Sequence, residues 1–225
     1  MERKDIYAVL MAGGKGERFW PQSRTSTPKP LLRLVGELTL IELTIERIRP
    51  FVSPENILII TNREYIAPIQ SLFSGIPHQN IIGEPVGRDT APCLALAAAV
   101  IKARNPAGNP VMIVLPSDHV IKDNEVLASV LLECAEFASK GRIVTMGVAP
   151  TAPSTGYGYI CCGNRLKEGT KTAYYEALQF KEKPDIETAR KFLQEKNYRW
   201  NSGIFIWSVS TFASAMKRHC PDLST

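Results

Sequence analysis

Short apolar runs of strand length alternate with helical patterns along most of the chain. Ile6, Tyr7, Ala8, Val9, Leu10 and Met11 form the first run, long enough for one buried strand. Leu38, Ile41, Ile45 and Ile48 then recur at helical spacing until Pro50 stops the pattern. The same reading predicts strands over 57–61, 80–83, 111–115 and 143–148. It predicts helices over 64–73 and 90–104, and a third from a cap at Asp123 to Ala138. Asp89 or Thr90 stands where the cap of the alanine-rich helix belongs. Strands separated by helices argue for an α/β fold with a largely parallel sheet and crossover helices. After Pro150 the rhythm changes. Residues 155–160 and 173–180 read as strands of a less regular, mixed region, 185–194 as a helix, 203–207 as a last strand and 211–219 as a last helix. This suggests one domain over 1–225, with a regular portion at 1–150 and a different portion at 151–225.

Composition narrows the class. The 225 residues are 44% hydrophobic and 22% charged, enough to bury a core and too weakly charged for disorder. A net charge of +5 suits a protein that handles polyanionic small molecules. No Lys/Arg block is interleaved with aromatics, so no nucleic-acid partner is expected. Cys93, Cys134, Cys161, Cys162 and Cys220 are odd in number and form no C-x-x-C pair. They read as reduced thiols of a cytoplasmic protein rather than as a disulfide framework or zinc site. The first apolar run is too short for a signal peptide or a membrane span, so no membrane partner is expected.

The candidate chemistry begins where the first strand breaks into Ala12-Gly13-Gly14-Lys15-Gly16-Glu17-Arg18. Without Cβ atoms, backbone N–H groups can approach an anion closely. Arg18 and Lys29 flank the stretch with charge and donors. Phe19 stands where a dinucleotide fingerprint needs its last glycine, and Trp20-Pro21 opposes an immediate helix. The Walker pattern G-x-x-x-x-G-K-[S/T] is absent as well. The glycines alone leave a phosphate grip and a plain tight turn about even; Arg18 and Lys29 favour phosphate. Asp118 lies just past the 111–115 strand, where open α/β sheets bind ligands, and suits a magnesium ligand or an ordinary turn residue. Glu84, with Thr90 at the start of the next helix, reads from chemistry alone as a simple turn, with polar groups that could also serve a base pocket. Glu182-Lys183 before Pro184 reads on its own as a solvated charged pair, although both side chains could reach one pocket.

The stretch from Ala12 to Arg18 with Pro28-Lys29 resembles the signature of sugar-1-phosphate nucleotidyltransferases, and Phe19-Trp20-Pro21 with Ser23-Arg24 is similar to the mannose-1-phosphate guanylyltransferase family. Further stretches agree in order: Glu84-Pro85-Val86-Gly87-Arg88-Asp89-Thr90-Ala91-Pro92, Pro116-Ser117-Asp118-His119, Thr155-Gly156-Tyr157-Gly158-Tyr159-Ile160, Phe180-Lys181-Glu182-Lys183-Pro184 and Trp200-Asn201-Ser202-Gly203-Ile204-Phe205. Pro30 stands where the family often has Gln, and Asp89 where it usually has Asn. The resemblance implies a Rossmann-like nucleotide-diphospho-sugar transferase fold, a mixed, mostly parallel sheet flanked by helices. It implies transfer of GMP from GTP to mannose 1-phosphate, giving GDP-mannose and pyrophosphate with Mg²⁺, in a homodimer. Arg18, Lys29 and Lys183 are then catalytic, and Asp118 binds the metal. Ala12, Gly13, Gly14, Gly16, Glu84, Pro85, Asp89 and Thr90 hold the nucleotide, and Gly156, Glu182 and Asn201 the sugar phosphate. On this reading 1–150 is the nucleotide-binding part and 151–225 the sugar-phosphate-binding part. Members of the family run longer and supply a second metal-binding aspartate. The expectation is therefore a C-terminally truncated chain that holds nucleotide but turns over weakly or not at all. Two alternatives stand beside it: a relative using another base or sugar, and a non-catalytic GDP-mannose-binding paralogue.

Overall fold

The computed structural model describes residues 5–14, 16, 19–24, 27–86, 90–166 and 172–223. Arg18 and Asp89, two of the site residues expected from sequence, lie outside them. The chain divides into two units, one of Met1–Val144 with Ile206–Thr225 and one of Thr145–Phe205. The eight strands among the described residues belong to a mixed sheet.

In the first unit the strands are β1 (Ile6–Met11), β2 (Ile57–Asn62), β3 (Ile81–Glu84) and β4 (Val111–Pro116). Their order is β3-β2-β1-β4, and all three pairings are parallel. The first five residues of β1, β2 and β4 are all buried. A parallel strand covered on both faces has no solvent side, which is why these runs read as continuous rather than alternating apolar sequence. The register sets Met11 beside Ile60 and Pro116, and Asn62 beside Glu84. The C-terminal ends of the strands therefore lie next to one another, the edge at which open α/β sheets carry their ligands.

Helices α1 (Leu40–Ile48), α2 (Ile66–Leu72), α3 (Thr90–Arg104), α4 (Asn124–Ala138) and α6 (Val209–His219) belong to this unit. α1 opens on a capping box, in which Thr39 Oγ1 accepts from the Glu42 amide and Glu42 answers on the Thr39 amide. Asp123 caps α4 through the Val126 amide, as its position before an amphipathic run predicts. α1 packs against α4, and α3 against α6. The buried row of α3 is Cys93, Leu94, Ala97, Ala98 and Ile101, where small residues allow close approach to β1 and β2. Among the described residues no helix is long and apolar enough to cross a membrane.

The second unit contains β6 (Tyr159–Arg165), β7 (Tyr175–Lys181), α5 (Ile186–Glu195), and most of β5 (Val144–Val148) and β8 (Tyr198–Ser208). β6 pairs antiparallel with both β7 and β8. Its small core is Tyr159, Ala189 and Tyr198, with Phe192 stacked on Tyr198 at 3.8 Å between ring centroids. Two strands, β6 and β8, differ from the sequence expectation by more than two residues. Residues 155–157 are bends rather than strand, because the Gly156 amide turns to Ser154 Oγ at 3.2 Å instead of to a ladder partner. β8 begins at Tyr198, well before 203, because its polar first half, Arg199, Asn201 and Ser202, is only half buried and hides the strand.

Candidate active site

Beyond β1 the chain stays fastened to β2. The Ala12 amide donates to the Ile60 carbonyl at 2.8 Å, and the Ala12 carbonyl accepts from Thr61 Oγ1 at 2.9 Å. Asn62 Nδ2 donates to the Gly13 carbonyl at 3.3 Å. A Cβ on Gly13 would lie 3.4 Å from Glu84 Oε2, so the absent side chain leaves the carboxylate open beside the loop. Burial pushes the Glu84 carboxyl above its ordinary value. Burial also pushes the nearby Cys93 thiol up to about 12, with the Glu84 charge as the second cause. Cys93 is an inert packing residue at neutral pH. Pro85 follows Glu84 in an exposed bend, and Thr90 is the exposed first residue of α3.

Gly14 has nothing within 4 Å of an added Cβ, whereas Gly16 is tightly constrained. Its φ is +71°, and a Cβ there would come within 2.6 Å of Lys29 Cβ. Only glycine allows the loop to lie on Lys29 in this way. The Gly16 carbonyl accepts from the Phe19 amide at 2.8 Å and from Ser23 Oγ at 2.5 Å. Lys29 begins a single 3-10 turn, Lys29–Leu31, with Pro30 buried beneath it. Its ammonium lies 4.9 Å from the Phe19 ring centroid and 2.6 Å from Asp118 Oδ2. Gly16, Phe19, Lys29 and Asp118 thus form one contiguous group at the ends of β1 and β4.

Asp118 is carried by a short loop. The Ser117 amide and Ser117 Oγ both donate to the Met11 carbonyl, at 3.3 and 2.8 Å. His119 Nε2 is 3.8 Å from Asp118 Oδ1. Burial lowers the imidazole pKa; Asp118 opposes the shift, while Arg47 and Lys29 add to it. The ring is neutral at pH 7, so this contact is polar rather than an ion pair.

In the second unit Glu182 and Lys183 follow β7 directly. Lys183 has φ +37°, which breaks the alternation of adjacent side chains and sets Lys183 Nζ 3.2 Å from Glu182 Oε1. Both side chains are more than half exposed, so the pair adds about 0–1 kcal/mol to stability. A non-glycine residue in this region of φ/ψ space is a recurrent mark of functional loops. A Cβ on Gly158 would strike Glu182 Oε2 at 2.7 Å and the Phe180 ring at 2.8 Å. The Gly158 carbonyl accepts from the Asn201 amide at 2.7 Å. Asn201 Oδ1 accepts from Thr145 Oγ1 at 3.2 Å and from the Gly203 amide at 3.1 Å. Gly156 is exposed, and its added Cβ would meet only Ser154 Oγ, at 3.6 Å. Nothing within the fold requires glycine there.

Sequence reasoning named Lys29, Asp118, Glu84 and Gly13, which the first unit brings together, and Glu182, Lys183 and Asn201, which the second holds near Gly158. It missed Asn62, the Phe19 ring and Gly158, whose parts show only in contacts between segments. It also missed Arg47, although a charged residue in the buried row of Leu40, Ile41, Thr44, Ile45 and Ile48 is a visible signal.

A family model described as nucleotidyl transferase matches residues 7–224. The chain is 38% identical to the mannose-1-phosphate guanylyltransferase of Escherichia coli (strain K12) over 225 residues, 99% of this chain and 47% of that protein. It is 38% identical over 219 residues to the protein of the same name from Salmonella muenchen, covering 97% of this chain and 46% of that one. The crystal structure of a Thermus thermophilus protein described as mannose-1-phosphate geranyltransferase matches with a TM-score of 0.87 at 38% identity, covering 98% of this chain and 62% of that chain. The chain spans about half the length of the curated relatives it matches. With a sequence match over nearly its whole length, and strand ends that carry the glycine loop, Lys29 and Asp118, the chain belongs to the nucleotidyl transferase family.

Proposed function

We propose that the protein transfers GMP from GTP to mannose 1-phosphate, giving GDP-mannose and pyrophosphate, as the names of its relatives suggest. The observation that carries this reading is the convergence of Gly16, Lys29 and Asp118, with Glu84, at the end of β3, beside Gly13 of the same loop. The nucleotide would lie along 12–16, over Ala12, Gly13, Gly14 and Gly16. Glu84 is an acceptor suited to the N1–H and N2–H₂ edge of guanine. Pro85 and Thr90 would border the base, with Asp89 beside them in sequence.

Asp118 fits a magnesium ion. Its carboxylate is 30% exposed and already holds a cation, the Lys29 ammonium. Among the described residues no cluster of three or more His, Cys, Asp or Glu could form an all-protein metal cage. One carboxylate with phosphate oxygens and water is a magnesium set rather than a zinc set. Mg²⁺ bound there would neutralise phosphate charge. Asp118 would hold the ion in place of the Lys29 ammonium, and Lys29 would then be free to donate to the triphosphate. Arg18 would assist on the same phosphates.

Lys183 would orient the phosphate of the sugar, while Glu182, Asn201 and Gly156 receive its hydroxyls. The sugar-phosphate oxygen attacks the α-phosphorus in line. The bond from that phosphorus to the oxygen bridging it to the β-phosphorus breaks, and pyrophosphate leaves with the electron pair. No protein nucleophile is needed; positioning and charge neutralisation carry the rate. A cytoplasmic homodimer, with 1–150 serving the nucleotide and 151–225 the sugar phosphate, completes the proposal.

Pyrophosphate release tests it, with GTP, UTP or dTTP supplied with Mg²⁺ and either mannose 1-phosphate or glucose 1-phosphate. GTP-selective release that requires mannose 1-phosphate supports the reading. Preference for UTP or dTTP assigns another nucleotide, and GDP-mannose binding without any release assigns a non-catalytic role.

A further inference from the structure

We propose that Arg47 is the positioning residue of the Asp118 loop. The proposal rests on the reading of Asp118 as a metal carboxylate. Arg47 lies on α1, and only 5% of it is exposed. A guanidinium is rarely sealed off unless its donors are used. Arg47 uses them across a long gap in sequence: Nη2 donates to the His119 carbonyl at 2.7 Å, and Nε to Asn124 Oδ1 at 3.2 Å. A longer contact of 3.4 Å reaches Thr44 Oγ1 on its own helix.

These contacts have a consequence for Asp118. Residue 117 is fixed to the end of β1 by two hydrogen bonds on the Met11 carbonyl. Residue 119 is fixed by Arg47, and so is residue 124, where α4 begins. Asp118 is held between two anchored neighbours, and its carboxylate is left to face Lys29. Between the two Arg47 anchors the chain runs through exposed Val120, Lys122 and Asp123, which offer little packing of their own. The planar fork of arginine reaches two acceptors in different segments at once, which a lysine ammonium on a single stem does not reproduce. Outer partners of this kind typically change metal affinity or activity about 10- to 100-fold when removed.

The test compares the affinity of a fluorescent N-methylanthraniloyl-GTP in Mg²⁺ with that in EDTA, for the wild-type chain and for Arg47→Met, Arg47→Lys, Asn124→Ala and Asp118→Asn. The ratio of the two affinities reports Asp118, whereas the EDTA value reports the glycine loop and Glu84. Arg47→Met is expected to cut the Mg²⁺ enhancement about tenfold or more while leaving the EDTA affinity within about twofold. Arg47→Lys should restore it only in part, and Asn124→Ala should lower it to a smaller degree. If Arg47→Met does not fold, Asn124→Ala decides, since it removes one anchor at the start of α4. Loss of the enhancement in Asp118→Asn but full enhancement in the Arg47 and Asn124 variants would overturn the positioning role alone. Full enhancement in Asp118→Asn would overturn the metal reading on which it rests.

Discussion

Lys29 Nζ and Asp118 Oδ2 lie 2.6 Å apart, although 89 positions separate them in sequence. Each is the residue its segment offers for phosphate chemistry, one as a cation and one as a carboxylate. The two satisfy each other, which keeps both side chains at the strand ends. With side chains about a quarter to a third exposed, the pair contributes about 1 kcal/mol or less to stability. Lys29→Ala is therefore expected to fold with a melting temperature close to that of the wild type. Its turnover in the pyrophosphate-release assay should fall by about 10²–10³-fold, the usual cost of removing a donor to developing charge. Unchanged turnover would remove Lys29 from the mechanism.

Gly16 is the residue that brings the loop onto Lys29. Gly16→Ala places a methyl group 2.6 Å from Lys29 Cβ on a backbone at φ +71°. Strain from the left-handed backbone alone costs about 1–2 kcal/mol, before the clash is relieved. The variant should melt at a lower temperature and bind GTP more weakly. Gly14→Ala, with open space around the added carbon, should leave the melting temperature unchanged.

Burial makes Glu84 a cost to stability that its proposed contact with guanine would justify. Burial raises its carboxyl pKa in the folded state, so the folded form holds its proton to a higher pH than the unfolded chain does. Below the ordinary carboxylate range both states are protonated and the group has no effect. As the pH rises toward the raised value the unfolded chain ionises first, and stability falls; above it the penalty is constant. Glu84→Gln should therefore raise the melting temperature at neutral pH, remain without that gain in acid, and lose preference for guanine. An equal shift in the melting temperature at every pH would contradict the burial of an ionised group.

The glycines of the second unit should separate fold from recognition. Gly158→Ala meets Glu182 and the Phe180 ring at under 3 Å and should lower the melting temperature. Gly156→Ala meets only Ser154 Oγ at 3.6 Å and should leave it unchanged. If the sugar ring approaches the backbone at 156, that same variant should raise the KM for mannose 1-phosphate several-fold without changing the KM for GTP.

What could be read in advance follows from how local the signal is. Residues 111–115 were legible because a strand covered on both faces demands unbroken apolar sequence, which β4 has, and 90–104 because a long alanine-rich run favours a helix. The first half of β8 was not, because its half-buried strand tolerates Arg199, Asn201 and Ser202. Likewise 155–157 carry strand-like composition, but a local bond from Gly156 to Ser154 takes the backbone elsewhere. Lys29 and Asp118 could be named from sequence, since each ends a recognisable segment; their contact could not. Arg47 shows in sequence only as a charge in the buried row of α1; its partners His119 and Asn124, 72 and 77 positions away, do not show there.

The most direct test of the account titrates the chain calorimetrically with GTP, UTP and dTTP in the presence of Mg²⁺. GTP is expected to bind about tenfold or more tightly than either pyrimidine nucleotide, a difference of about 1.4 kcal/mol. Glu84→Gln is expected to erase that preference. Equal affinity for all three, or tighter binding of UTP or dTTP, would contradict a guanine pocket at Glu84 beside Gly13.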